Sequence, residues 1–179
     1  GASSDWLALD VAIAGTTGGM ALFLVGNASN DMTMSLLVLL ALLLMVHAGD
    51  SQVRTPHAFW LFSVAGLAGG MAAGLKLTMM PFAIGLAAGA LALDGPARLR
   101  LQRVAFLGVG GLIGAALFGG TWAWTLWRET GNPFFPYFND IIGSPLLLEA
   151  SYRDLRFLPQ TLAEALIYPF LFAWDGMRV

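Results

Sequence analysis

Long apolar runs separated by short polar stretches make up most of this chain. Trp6 to Gly26 is the first run. At about 1.5 Å per residue it reaches across a hydrocarbon core. Asp10 in its first half reads either as an acid near the interface or as a functional group, and Gly15 and Gly19 form a GxxxG pair suited to close helix contact. Asn27 to Asp31 is a polar turn, and Asp31 is a favourable start for the next helix because an acid suits its positive end. Met32 to Ala48 is nearly pure Leu, Val and Met without Gly, and is expected to face lipid. Phe59 to Leu75 is the third span, with Gly66, Gly70 and Gly74 on one face, which predicts another helix lying very close. Met79 to Leu93 is the fourth, with Gly85 and Gly89 repeating the spacing. These two are short for spans, about 23–26 Å. They meet at Gly74-Leu75-Lys76-Leu77-Thr78-Met79-Met80-Pro81 with almost no loop, and Lys76 stands at the junction. Val104 to Trp127 is the longest span and ends in Trp122, Trp124 and Trp127, an interfacial aromatic belt. Thr161 to Trp174 opens a further helix containing Pro169, and the pattern leaves open whether it crosses.

The pattern predicts an all-α, polytopic transmembrane helix bundle of about 5–6 spans across residues 1–179, with one long loop. That loop is residues 128–160. Pro133, Pro136, Pro145 and Pro159 exclude one long helix there. Its aromatic and apolar residues alternate with charges, so it is expected on the membrane surface or dipping partly into it.

Composition agrees with membrane residence: 58% of residues are hydrophobic and 11% charged, against roughly 25% charged in soluble domains. No cysteine is present, which excludes disulfides, thiol catalysis and thiolate metal sites. The chain opens Gly-Ala-Ser-Ser, with neither Met nor the basic start of a signal peptide, and is expected to be a segment of a longer chain.

Charge placement orients the bundle. Gly49–His57 and Asp94–Arg103 fall on one side and carry Arg54, Arg98, Arg100 and Arg103, which makes that side cytoplasmic. Asn27–Asp31, the Lys76 junction and the loop 128–160 then fall on the extracytoplasmic side. The loop's Arg128, Arg153 and Arg156 are offset by Glu129, Asp140, Glu149 and Asp154.

A lysine kept in mid-membrane costs about 2.5–3.5 kcal/mol on insertion scales, so it usually faces protein, water or an anion. Lys76, Arg153 and Arg156 are candidates to hold the phosphate of a membrane lipid, since ammonium and guanidinium groups suit phosphate. Equally open is that Lys76 snorkels and that Arg153 and Asp154 form a local surface pair. Phosphate-loop and dinucleotide motifs, HExxH and a nucleophile elbow are all missing from the sequence. His47 and His57 are too far apart in sequence for a helical metal pair. No cofactor is indicated, and the pattern argues against nucleic-acid binding.

The stretch GLKLTMMPFAIGLAAGAL, Gly74 to Leu91, resembles the mid-chain helix junction of bacterial polytopic glycosyltransferases of the GT-C fold. GNPFFPYFNDIIGSP (Gly131 to Pro145) and YRDLRFLP (Tyr152 to Pro159) resemble the extracytoplasmic loop of one branch of that group, and Asn30-Asp31 before an apolar helix is similar to a recurring feature there. The resemblance implies a transferase of the bacterial inner membrane, moving a sugar from a polyprenyl-phosphate donor to an extracytoplasmic acceptor, with a divalent metal in many members. It also implies a main catalytic acid in a first extracytoplasmic loop. Asp5 and Asp10 lie at the cytoplasmic end by the topology above, so that acid is expected outside this chain. Asp154 and Asp31 are weaker candidates for acid or metal roles. Phe134, Phe135, Tyr137 and Phe138 are expected to flank lipid or sugar. The alternative is a non-catalytic subunit of a larger membrane complex, using its glycine faces and aromatic loop for protein contacts.

Overall fold

The computed structural model describes residues 2–17, 30–50, 55–147 and 158–174. Among them the protein is helical: α1 Ala2–Thr17, α2 Asp31–Gly49, α3 Thr55–Leu75, α4 Met80–Ala92, α5 Ala97–Thr130, α6 Asn139–Ile142 and α7 Leu162–Trp174. The one β feature among the described residues is an isolated bridge between Ser144 and Leu147. The helices α2, α3 and α5 are long and apolar enough to cross a membrane. The expected count of 5–6 spans is thus reached only in part. The helix α4 has 13 residues, about 20 Å of rise, which falls short of a bilayer core. The first expected span runs past α1 into residues outside those described, and α7 also has 13 residues. The N-terminus of α7 is capped by side chains: Glu164 N–H donates to Thr161 Oγ1 (3.1 Å), while the Glu164 carboxylate accepts from the N–H of Gln160, one residue before the cap (2.8 Å).

The chain divides into two compact units, residues 1–121 and 122–179, with the boundary inside α5. In the first unit α3 is the central helix. Its glycine face meets α5 at backbone distance. A Cβ built on Gly66 would stand 1.9 Å from Leu107 O, on Gly70 2.0 Å from Gly111 O, and on Gly74 2.8 Å from Ala115 O. The approach is reciprocal, since Cβ atoms on Gly110 and Gly114 would stand 2.0 Å from Ser63 O and 2.3 Å from Leu67 O. The close neighbour expected from the Gly66–Gly70–Gly74 spacing is therefore α5. Phe59 and Phe106 stack across the same pair of helices at 4.7 Å.

The helix α2 covers another side of α3. Its Met34, Ala41, Met45 and Ala48 are buried, while Leu36, Leu39, Leu43 and Val46 stay exposed. The run Met32–Ala48, expected to face lipid, therefore buries one face against the protein and leaves the other exposed. Ala41 and Ala48 are among the buried positions, and Ala41 Cβ lies 4.0 Å from a Cβ built on Gly69 of α3. Gly89 of α4 lies against the Met45 methyl (3.1 Å to a built Cβ), whereas Gly85 faces open space. Arg103 is buried at the start of α5. It donates from Nη1 to Asp94 O (2.7 Å) and lies 5.8 Å from the Phe62 ring centroid, so this basic residue closes the loop before its own helix.

Candidate functional site

The break between α3 and α4 is where a charged pair is formed. The Lys76 N–H ends α3 by donating to Ala72 O (2.9 Å), and Lys76 itself is extended, with φ −147° and ψ 109°. Its carbonyl accepts from Met79 N–H (2.9 Å), which begins a single 3₁₀ turn over Leu77–Met79. Pro81 then stands in the first turn of α4, where a missing N–H costs nothing. One extended residue between two helical stretches lets the side chain leave the line of both.

That side chain reaches Asp31. Lys76 Nζ makes an ion pair and hydrogen bond with Asp31 Oδ1, in the first turn of α2. The acid sits where the helix dipole favours it. On the same two segments Met34, Ala72 and Met79 form a buried apolar cluster with Leu37 and Val38 packed on it. Met34 and Met79 each lie three residues beyond one partner of the pair, so the segments that follow the two charged residues also contribute to this cluster. The pair is not sealed: Lys76 is 29% and Asp31 37% exposed. In water such a pair contributes about 0.2–1 kcal/mol. Its stronger consequence is neutralisation, because a paired ammonium is less costly next to lipid than a lone one.

The sequence singled out both residues in separate roles, Lys76 for phosphate and Asp31 for acid or metal chemistry. The structure joins them in one pair, and both fall on the same side of the expected topology. Arg153, Asp154 and Arg156 lie outside the described residues. Among the described residues no group of three or more His, Asp or Glu gathers to hold a metal ion.

The second unit presents the loop aromatics. Gly131, at φ +76°, turns the chain out of α5, and its N–H donates to Trp127 O (2.9 Å). Asn132 is fully buried and clamps the turn: Nδ2 donates to Tyr137 O (2.8 Å) and Oδ1 accepts from Phe134 N–H (2.9 Å). The Thr130 hydroxyl accepts from the Asn132 N–H (3.2 Å) and donates to Leu126 O (2.7 Å). On this frame Phe134 and Phe138 meet edge to face at 5.9 Å. Phe134, Tyr137 and Phe138 are exposed and Phe135 is half-buried, next to a cis bond to Pro136. Phe138 takes a left-handed backbone, φ 55°, at the start of α6. The sequence sign of Asn132's role is slight: an Asn-Pro pair after a helix-ending Gly signals a turn and says nothing of the clamp.

No protein-family model matches the chain, and neither the curated proteins nor the solved structures include a significant match to it.

Proposed function

We propose that the chain is a membrane-embedded portion of a GT-C-like glycosyltransferase, and that Lys76 is the anchor for the phosphate of its polyprenyl-phosphate donor. The supporting observation is the Lys76–Asp31 pair at a helix break between apolar segments. The protein is a multi-pass component of the bacterial inner membrane, with the Lys76 junction and residues 128–160 on the extracytoplasmic side. Asp31 serves as counter-ion and holds the ammonium in place until a phosphate competes for it. Exposure of both side chains leaves the ammonium within reach of a lipid headgroup.

The pair also favours a second reading, an accessory membrane subunit in which Asp31–Lys76 is a latch between α2 and the α3–α4 break. The two readings differ in sign. As a phosphate anchor, Lys76→Met lowers retention of undecaprenyl phosphate in native mass spectra of the detergent-solubilised protein about tenfold or more, since a hydrogen bond to a charged group contributes roughly 1.5–3 kcal/mol. Asp31→Asn, which removes the competing carboxylate, raises retention. As a latch, both variants melt at lower temperature and neither changes lipid retention. Equal retention across wild type and both variants would reject the phosphate anchor.

A further inference from the structure

We propose that residues 131–147 form an inside-out cap seated in the headgroup–acyl boundary of the bilayer. The inference rests on the membrane residence proposed above, but not on the transferase reading. A turn-rich segment facing water keeps polar side chains outside and apolar ones inside. Here the order is reversed. Asn132, Asn139 and Ser144 are buried, whereas Tyr137, Ile141 and Leu146 are 56%, 74% and 63% exposed. Most of this buried polarity is turned onto the segment's own backbone: Asn132 as described, Ser144 Oγ accepting from Leu146 N–H (3.3 Å), and Asn139 through Nδ2, which donates to Leu147 O (3.5 Å), while its buried Oδ1 makes no hydrogen bond among the described residues.

The backbone follows the same logic. Pro133, Pro136 and Pro145 have no N–H to satisfy. Internal bonds engage many of the other donors, among them Tyr137 to Phe134 O (2.8 Å), Ile142 to Phe138 O (2.9 Å), Gly143 to Asn139 O (3.2 Å) and Leu147 to Ser144 O (3.3 Å). Such pairing is compatible with a seat against the hydrocarbon boundary, where an unpaired backbone group is costly.

Lipid is favoured over a protein partner by the helix end that leads into the cap. Trp122, Trp124 and Trp127 are 66%, 56% and 51% exposed. At about 100° per residue they point to bearings near 0°, 200° and 140°. A docked partner covers one face, whereas a bilayer surrounds the helix, as this belt does. The cap begins four residues after Trp127, continuous with the belt. Asp140 is exposed beside Ile141, which sets the seat shallow, at headgroup depth.

The chain contains no cysteine, so single cysteines placed in it are nitroxide-labelled without background from this chain, any cysteine elsewhere in the protein being replaced by serine. In the full-length protein reconstituted in phosphatidylethanolamine–phosphatidylglycerol liposomes, labels at Ile141→Cys and Leu146→Cys are compared with Leu112→Cys, on the exposed apolar face of α5, and Asp94→Cys in a polar loop. The expected result is that the two cap labels are several-fold more accessible to oxygen, relative to a water-soluble nickel chelate, than Asp94→Cys. Cap labels as open to nickel as Asp94→Cys, with Leu112→Cys protected, would overturn the cap while leaving membrane residence intact. Cap labels shielded from both reagents would also overturn it, in favour of a protein partner or a second copy. Leu112→Cys open to nickel would remove the membrane residence on which the cap depends.

Discussion

Replacing Gly70 with leucine is expected to force α3 and α5 apart and to lower unfolding free energy by more than about 3 kcal/mol, the upper end of what overpacking costs in a well-packed core. The reason is geometric. At Gly70 even a methyl carbon would lie 2.0 Å from Gly111 O and 2.7 Å from Gly111 Cα. These are backbone atoms in the middle of a helix, so no rotamer change relieves the clash. The same holds one turn away, where Gly66 faces Leu107 O, and from the opposite side, where Gly110 faces Ser63 O. A single leucine therefore disrupts a contact whose neighbours have no slack either. The consequence extends to the candidate site, because Lys76 follows directly from the C-terminal end of α3. Gly85→Ala and Gly108→Ala provide the contrast. Neither position has an atom within 4 Å of a built Cβ, and alanine stabilises a helix over glycine by up to about 1 kcal/mol. Thermal unfolding in detergent of the three variants decides the matter. A Gly70→Leu protein melting with the wild type would mean that α3 and α5 do not approach as described.

The parts of this architecture that could be read from sequence are those with a local cause. Three glycines at a spacing of four bring a helix face free of side chains into one line, and such a face has no use unless another helix fills it. Its partner was harder to identify. The helix α5 carries Gly108, Gly110, Gly111, Gly114, Gly119 and Gly120, and spacing alone does not say which of these meet α3. The break at Lys76 was also legible, since a lysine and a proline interrupt an otherwise apolar run. What followed from the break was not. Lys76 finds Asp31 across 45 residues of sequence, and that needs α2 and α3 to be antiparallel neighbours in a fixed register. The burial of Ala41 and Ala48 was hidden for a related reason: among leucines, an alanine carries no sign of which neighbour it admits. Length misled in the opposite direction. The apolar run Met79–Leu93 looks like a span, yet its first residue belongs to the 3₁₀ turn and the helix closes at Ala92.

Asn132→Leu is expected to open the 131–147 turn locally, by roughly 2–6 kcal/mol, because leucine has a similar volume but neither end of the amide. Tyr137 O and Phe134 N–H would both lose their partners, and each buried group left unpaired costs about 1–3 kcal/mol. Asn132→Asp is informative in a different way. It preserves an acceptor for Phe134 N–H but removes the donor to Tyr137 O, and it introduces a charge at a position with no solvent exposure. It should therefore be no milder than leucine. Hydrogen exchange reads the effect directly. The amides of Phe134 and Tyr137 should exchange about 30-fold faster or more in Asn132→Leu, as roughly 1.4 kcal/mol corresponds to tenfold. Amides in the middle of α3 should keep their wild-type rates, which separates local opening from global unfolding. Unchanged exchange at Phe134 would show that the aromatics are held by packing, with the Phe134–Phe138 edge-to-face contact sufficient by itself. Faster exchange would place the hold on one amide side chain. The exposed aromatic ledge would then depend on a buried polar residue, as an inside-out segment requires.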